Sequence, residues 1–445
     1  MPLTHEPSRL TRLLMFGALV AIGPLTIDIY LAAFPTIVQD LHTTEAAVQL
    51  TLTSTLIGLA LGQLLIGAVA DVVGRRRPLL IALSAYVVVS VAIALSSSLE
   101  ALVVLRFLQG VTAAAGMVLA NAMVRDLYSG AQMATFISRL FLIVGVAPIL
   151  APTLGAQFLH FGTWRTIFWG LAVFGLVLVS LALFLAPETL PTHRRRTGGV
   201  GPAMRSYAVL LTDRRFLGLM LTAGAAMGAL FAYISSATFI FQDLYGMSTQ
   251  EYALVFAAGA GSLTVASQVN GFLVQRIHPV RILRVVLPSA VLISSLLLVA
   301  ALLDLGVVAI VIGVVLVLAG AGFVMPNAPV LALHDHGERA GAAAALLGAG
   351  NFTFGALIAP ITGAFDVSSA VPMAGVMVGC GLLAILVFWT LARPGHILAT
   401  MPWDTDRGGG DRGSGDAGRG DAPEDGTPES GPAVQPQVAT LTANS

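Results

Sequence analysis

The chain has 445 residues, 56% hydrophobic and only 10% charged, with a mean hydropathy of +0.88. Soluble domains carry about 25% charged residues, so a water-soluble globular body is excluded, and zero net charge (23 basic, 23 acidic) gives no basic field to attract nucleic acid. All 23 basic residues are arginine, which excludes Walker A loops and lysine Schiff bases, and the one cysteine, Cys380, permits no internal disulfide.

About 20 apolar residues are needed to cross roughly 30 Å of hydrocarbon. Such stretches recur twelve times, near 13–33, 48–70, 79–95, 102–123, 137–159 and 167–185, then near 216–241, 252–274, 282–303, 307–330, 342–364 and 372–391. The sequence therefore predicts an all-α membrane protein with twelve transmembrane helices. The first segment is long and is followed by eleven others, which argues against a cleaved signal peptide. With the N-terminus inside, 21 of the 23 arginines fall at cytoplasmic ends or in the C-terminal tail, leaving Arg106 and Arg165. The positive-inside rule then places both termini in the cytoplasm, which an even span count requires.

Charge inside a membrane is expensive and marks function by default. Asp28 lies in the outer half of the first span, and Arg106 lies at a similar depth in the fourth. If those spans are neighbours, Arg106 can hold Asp28 ionised, and losing the contact would drive proton uptake. A static ion pair that only fixes packing is the alternative. In the loop after the second span, Gly67, Asp71, Gly74, Arg75 and Arg76 stand in an ordered run: Gly67 permits close helix approach, Asp71 can accept from Arg75, and Gly74 opens a tight turn. The fifth span carries Gly145, Pro148, Pro152 and Gly155, which predicts a bent, closely packed helix. Tyr30, Gln109, Met117, Asn121 and Tyr233 are candidate cavity liners, being polar, aromatic or thioether groups inside spans; for Met117 and Tyr233 ordinary packing serves equally well.

Residues 1–190 are expected to form one six-helix bundle, 191–215 a cytoplasmic linker with a short interfacial helix near 203–211, 216–395 a second six-helix bundle, and 396–445 a disordered cytoplasmic tail. A shift of 204 residues puts Gly67 on Gly271, Asp71 on Gln275 and Arg77 on Arg281, the weak repeat of a duplicated transporter. The same shift carries Asp28 and Arg106 onto Ala232 and Ile310, so any proton chemistry belongs to the N-terminal half. All eight histidines fall in expected loops or tails, and His334-Asp335-His336 reads as a solvated turn, since zinc normally wants three or more convergent protein ligands. No metal is expected.

The loop motif, Arg106-Phe-Leu-Gln109-Gly110 and the fifth-span Gly/Pro pattern together resemble the signature motifs of the drug:proton antiporters of the major facilitator superfamily. Asp28-Ile-Tyr30-Leu31 before Pro35, and Val48-Gln49-Leu-Thr-Leu before Gly62-Gln63, resemble its bicyclomycin and chloramphenicol resistance (Bcr/CflA) efflux subfamily. The likeness covers about residues 10–395; it departs where the family usually has proline at Ala32 or Ala33, and in the acidic tail. It implies the major facilitator fold, two six-helix bundles around a midplane cavity, in the cytoplasmic (inner) membrane of a bacterium. It further implies a monomeric exporter, not an enzyme, that exchanges hydrophobic small-molecule drugs for protons with no cofactor beyond the proton gradient. Asp28 matches the family's membrane acid, Arg106 its motif arginine, Asp71 and Arg75 a cytoplasmic gate latch, and Gly145 and Pro148 the antiporter helix. Proton-coupled transport of a metabolite (an amino acid derivative, siderophore or sugar) is the alternative, and an uncoupled channel or receptor the third.

Overall fold

The computed structural model describes residues 8–195, 199–363 and 369–401. Arg196 and Gly198 of the expected linker and the tail from residue 402 onward lie outside them. The first crossing is interrupted: α1 (Arg9–Asp28) ends at Asp28, a 3-10 turn covers Leu31–Ala33, and α2 (Phe34–Asp40) resumes with Pro35 in its first turn. Then follow α3 (Glu45–Val73), α4 (Arg76–Ala94), α5 (Leu99–Leu127), α6 (Gly130–Phe161) and α7 (Trp164–Leu185). The short α8 (Gly201–Thr212) leads into α9 (Arg214–Thr238), α10 (Thr249–Leu273), α11 (Pro279–Leu302), α12 (Val307–Leu333), α13 (Ala340–Gly363), α14 (Val371–Val387) and α15 (Pro394–Thr400). Eleven stretches among the described residues are long and apolar enough to cross a membrane, and α6, at 32 residues, is a further long helix beside them.

Side-chain caps fix several helix starts: Ser8, Thr44, Ser98 and Ser248 each accept a backbone N–H of the turn that follows. The 204-residue shift carries Glu45, the first residue of α3, onto Thr249, the first of α10, and the cap Thr44 onto the cap Ser248. At this pair of helix starts the elements coincide with the 204-residue shift, whereas α12 and α13 begin four and six residues beyond the shifted starts of α5 and α6. Large apolar side chains such as Ile81, Val88, Leu254 and Phe272 point outward, as expected of helices solvated by lipid.

Helices before α8 pack mainly on one another, as do those after it; α3 against α13 and α6 against α10 join the two sets. A close approach lies between α3 and α5, where a Cβ on Gly58 would meet the Phe107 backbone and one on Gly110 the Thr55 backbone. This corrects the reading of Gly67: its nearest neighbour is a Val118 methyl at 3.4 Å, an ordinary contact. The close approach sits two to three turns nearer the start of α3, because there backbone rather than side chain faces the glycine. Gly110→Ala is expected to lower stability by about 1–3 kcal/mol through overpacking, whereas Gly67→Ala should leave the detergent melting temperature unchanged; equal melting of the two variants would contradict this packing.

Candidate functional site

Three residues hold Arg106 in its fully buried position on α5. One guanidinium nitrogen donates to Gln109 Oε1, another to the Thr26 carbonyl at 3.1 Å, and the guanidinium carbon lies 3.9 Å from the Tyr30 ring centroid. Gln109 Nε2 in turn donates to Ser90 Oγ at 2.9 Å, and the Thr26 hydroxyl meets the Tyr86 hydroxyl at 2.8 Å. Thr26 and Tyr30 are four apart and share one helix face; residue 28 points about 200° away from both at 100° per residue. The Asp28–Arg106 ion pair expected from depth is therefore not made, since equal depth does not give equal azimuth. Asp28 is 4% exposed, and its Oδ1 has no hydrogen-bond partner among the described residues.

The turn after α1, Leu31–Ala33, touches α9 and α10. Tyr233 is buried, stacks on Phe256 at 5.5 Å, and has a hydroxyl without a partner among the described residues. Thr238 Oγ1 donates to the Leu31 carbonyl at 3.0 Å and lies 3.0 Å from the Tyr252 hydroxyl, tying α9 to the interrupted crossing. Phe34 and Phe239, 5.8 Å apart, close the same seam. The α6 glycines bracket this region. A Cβ on Gly155 would strike the Ile29 carbonyl, directly after Asp28, and Thr264 of α10 donates to the Gly145 carbonyl at 3.3 Å. Pro152 is buried and Pro148 half-buried on the same helix, which continues through both prolines.

The remaining candidates fall apart by environment. Tyr30 is completely buried beneath Arg106, with its hydroxyl 3.3 Å from Thr51 Oγ1. Gln109 supports Arg106 with both ends of its amide, so it has no free group to offer a ligand. Met117 packs its thioether on Gly23 of α1, the packing alternative. Asn121 is exposed and donates to the Met117 carbonyl of its own helix at 2.9 Å. Sequence reasoning missed Thr26, Ser90, Tyr86, Thr238 and Tyr252, whose hydroxyls look ordinary in an apolar run; only the helix break makes them converge.

Between α3 and α4 the glycine and arginine run folds into a charge network. Gly74 takes φ +103°, the left-handed region that favours glycine. Arg75, 9% exposed, pairs with Asp71 at 2.7 Å and with Asp126 at the end of α5 at 3.2 Å. Glu188, after α7, accepts the backbone N–H groups of Arg75 at 2.9 Å and Arg76 at 3.3 Å, and Arg76 donates to the Leu183 carbonyl at 2.7 Å. Asp126 and Glu188 were not foreseen, because they lie far along the chain from the motif. Partial burial pushes the Glu188 carboxyl up, but the backbone donors of Arg75, Leu190 and Arg76 together with Arg195 hold it below the usual glutamate range. The His334-Asp335-His336 turn packs against the start of α9. Arg215 meets Asp335 at 2.6 Å and His336 meets Asp213 at 3.2 Å, and no metal-sized cluster of ligands occurs among the described residues.

A folded-state value below the unfolded one means that Glu188 stabilises the fold above the ordinary glutamate pKa of about 4.3, and that this contribution is lost as pH falls through the lower folded value. Glu188→Gln should therefore cost about 1–2 kcal/mol at neutral pH, and the melting difference from the unaltered chain should vanish in stronger acid. A difference independent of pH would show that the charge has no part in the latch.

Comparison with known proteins gives the family. The chain is 37% identical over 394 residues to the "Uncharacterized MFS-type transporter YdgK" of Bacillus subtilis, covering 87% of this chain and 98% of that one. It is 29% identical to the "Bicyclomycin resistance protein homolog" of Haemophilus influenzae (87% and 98% covered) and 27% identical to the "Multidrug resistance protein MdtL" of Escherichia coli (86% and 95% covered). Solved structures with the same fold include the human organic anion transporter MFSD10 (TM-score 0.67, 17% identity, 87% and 100% covered) and the Escherichia coli xylose transporter XylE (TM-score 0.66, 14% identity, 85% and 97% covered). Residues 14–360 match the Major Facilitator Superfamily, so the chain belongs to that family and is a multi-pass membrane transporter rather than an enzyme.

Proposed function

We propose that the chain is a proton-coupled exporter of hydrophobic drugs, compounds of the chloramphenicol or bicyclomycin kind, working as a monomer by alternating access with the proton gradient as its only driving force. The observation that carries this reading is Asp28, a buried carboxyl at a helix break with one oxygen unpartnered among the described residues. A charged carboxylate there is costly, and a proton or a bound drug relieves the cost in turn. Each then displaces the other. The relatives named for bicyclomycin and multidrug resistance support the choice of cargo.

In this cycle, drug binding from the cytoplasm releases the Asp28 proton inward, and reloading from outside resets the carrier. One charge crossing 100 mV supplies about 2.3 kcal/mol to the outward drug gradient. Arg106 positions rather than carries: through the Thr26 carbonyl and the Tyr30 face it holds the break that presents Asp28. Gly155 keeps the antiporter helix against the same break.

Everted vesicles loaded with a pH dye test both roles against chloramphenicol-like and cationic compounds. Asp28→Asn should abolish drug-induced proton release with membrane insertion unaltered, and retained release would refute the carrier role. Arg106→Lys keeps the charge but loses the planar fork and the stacking, so transport should fall at least about tenfold, equivalent to roughly 1.4 kcal/mol; activity equal to the unaltered chain would remove Arg106 from the mechanism.

A further inference from the structure

The short helix α8 carries a site apart from the transport path. Its Tyr207 hydroxyl donates to the Leu64 carbonyl of α3 at 3.0 Å. Leu64 lies nineteen residues beyond Glu45, roughly 28 Å along the helix at 1.5 Å per residue. That nearly equals the ~30 Å of hydrocarbon, so with the start of α3 at the outer face, as the arginine bias gives, the bond holds α8 at the depth of the inner headgroups. Ala203, Tyr207 and Leu210 are buried against the protein, while Met204 and Leu211, 41% and 43% exposed, occupy another flank. Such an apolar flank suits a helix lying in the interface.

The remaining flank has a different chemistry. Pro202, Arg205, Ser206 and Val209, with Gly201 and with Arg339 from the turn before α13, line an open cleft of about 450 Å³. No acidic side chain is among these six residues. Both arginines are exposed, and neither enters an ion pair among the described residues, although Arg75, Arg165, Arg195 and Arg215 all do. Two planar guanidinium forks facing one cleft match the oxygens of a phosphate group, and Pro202 and Val209 give it an apolar wall. We propose that this cleft binds the phosphate headgroup of an anionic phospholipid of the cytoplasmic leaflet. The depth of α8 and the apolar wall select a lipid phosphate over a free one. The occupant would bridge α8 to the start of α13.

Native mass spectrometry of the full chain, delipidated and titrated with phosphatidylglycerol or phosphatidylcholine, tests this. One phosphatidylglycerol should bind in preference to phosphatidylcholine, and Arg205→Gln with Arg339→Gln should weaken that binding about thirty-fold, from the usual contribution of two arginines at an anionic surface. Arg194→Gln, which removes another exposed arginine nearby in the chain, should change nothing, and inorganic phosphate should not displace the lipid. Unweakened binding in the double variant, an equal loss in Arg194→Gln, or full displacement by inorganic phosphate would each overturn the proposal, the last by showing a free-phosphate site. Should the double variant misfold, Arg205→Gln alone reads the same loss at about fivefold.

Discussion

A guanidinium buried without a carboxylate is the constraint on which the N-terminal half depends. An unpaired buried charge costs several kcal/mol unless other groups solvate it. Arg106 finds a carbonyl, an amide oxygen and an aromatic face instead of an anion. The carbonyl is available because α1 stops at Asp28. In a continuous helix the amide of residue 30 would take the Thr26 carbonyl. Arginine and helix break thus require each other, and Asp28, turned away from Arg106, keeps one carboxyl oxygen without a partner among the described residues.

The helices before and after α8 are joined by different chemistry. Before α8, charges close the ends of α3, α4 and α5: Arg75 lies between Asp71 and Asp126, and Glu188 caps the turn. After α8, the neutral pair Asn270 and Asn327 joins α10 to α12 through reciprocal amide contacts of 2.6 and 3.5 Å. An amide pair satisfies itself with no charge to desolvate, so this contact is indifferent to pH and salt. The charged end is not, and a partly exposed network of this kind weakens with screening.

Much of this was legible in the sequence for a physical reason: a membrane imposes a length and an apolarity on every crossing, and arginine placement orients them. The α8 helix near 203–211, the repeat of 204 residues and the Asp71–Arg75 contact follow from patterns local in the chain. The interruption of the first crossing was not legible, because Pro24 and Pro35 flank residues 29–33 without naming where the helix unwinds. Nor was the azimuth of Arg106. Depth is a count of residues, whereas azimuth depends on which neighbour supplies a free carbonyl. Asp126 and Glu188 belong to the latch only because α5 and the segment after α7 end beside Gly74, which no spacing along the chain reveals.

The strengths of these contacts differ in a way that favours rigid motion of two units over repacking within them. Inside the first set, α3 and α5 touch through glycines against backbone, where any shift meets hard atoms. Across the seam, one end is held by the Thr238–Leu31 bond and the Phe34–Phe239 contact, and the other by Tyr207 on Leu64 and by Gln63 beside Gly348. A neutral hydrogen bond contributes about 0.5–1.5 kcal/mol net and an aromatic pair a similar amount, so either end opens at a cost of a few kcal/mol. One proton crossing 100 mV delivers about 2.3 kcal/mol, the same magnitude. Under the proposed exchange, a single titrating carboxyl at the seam is therefore enough to bias which end is open, and no larger reservoir of strain is needed.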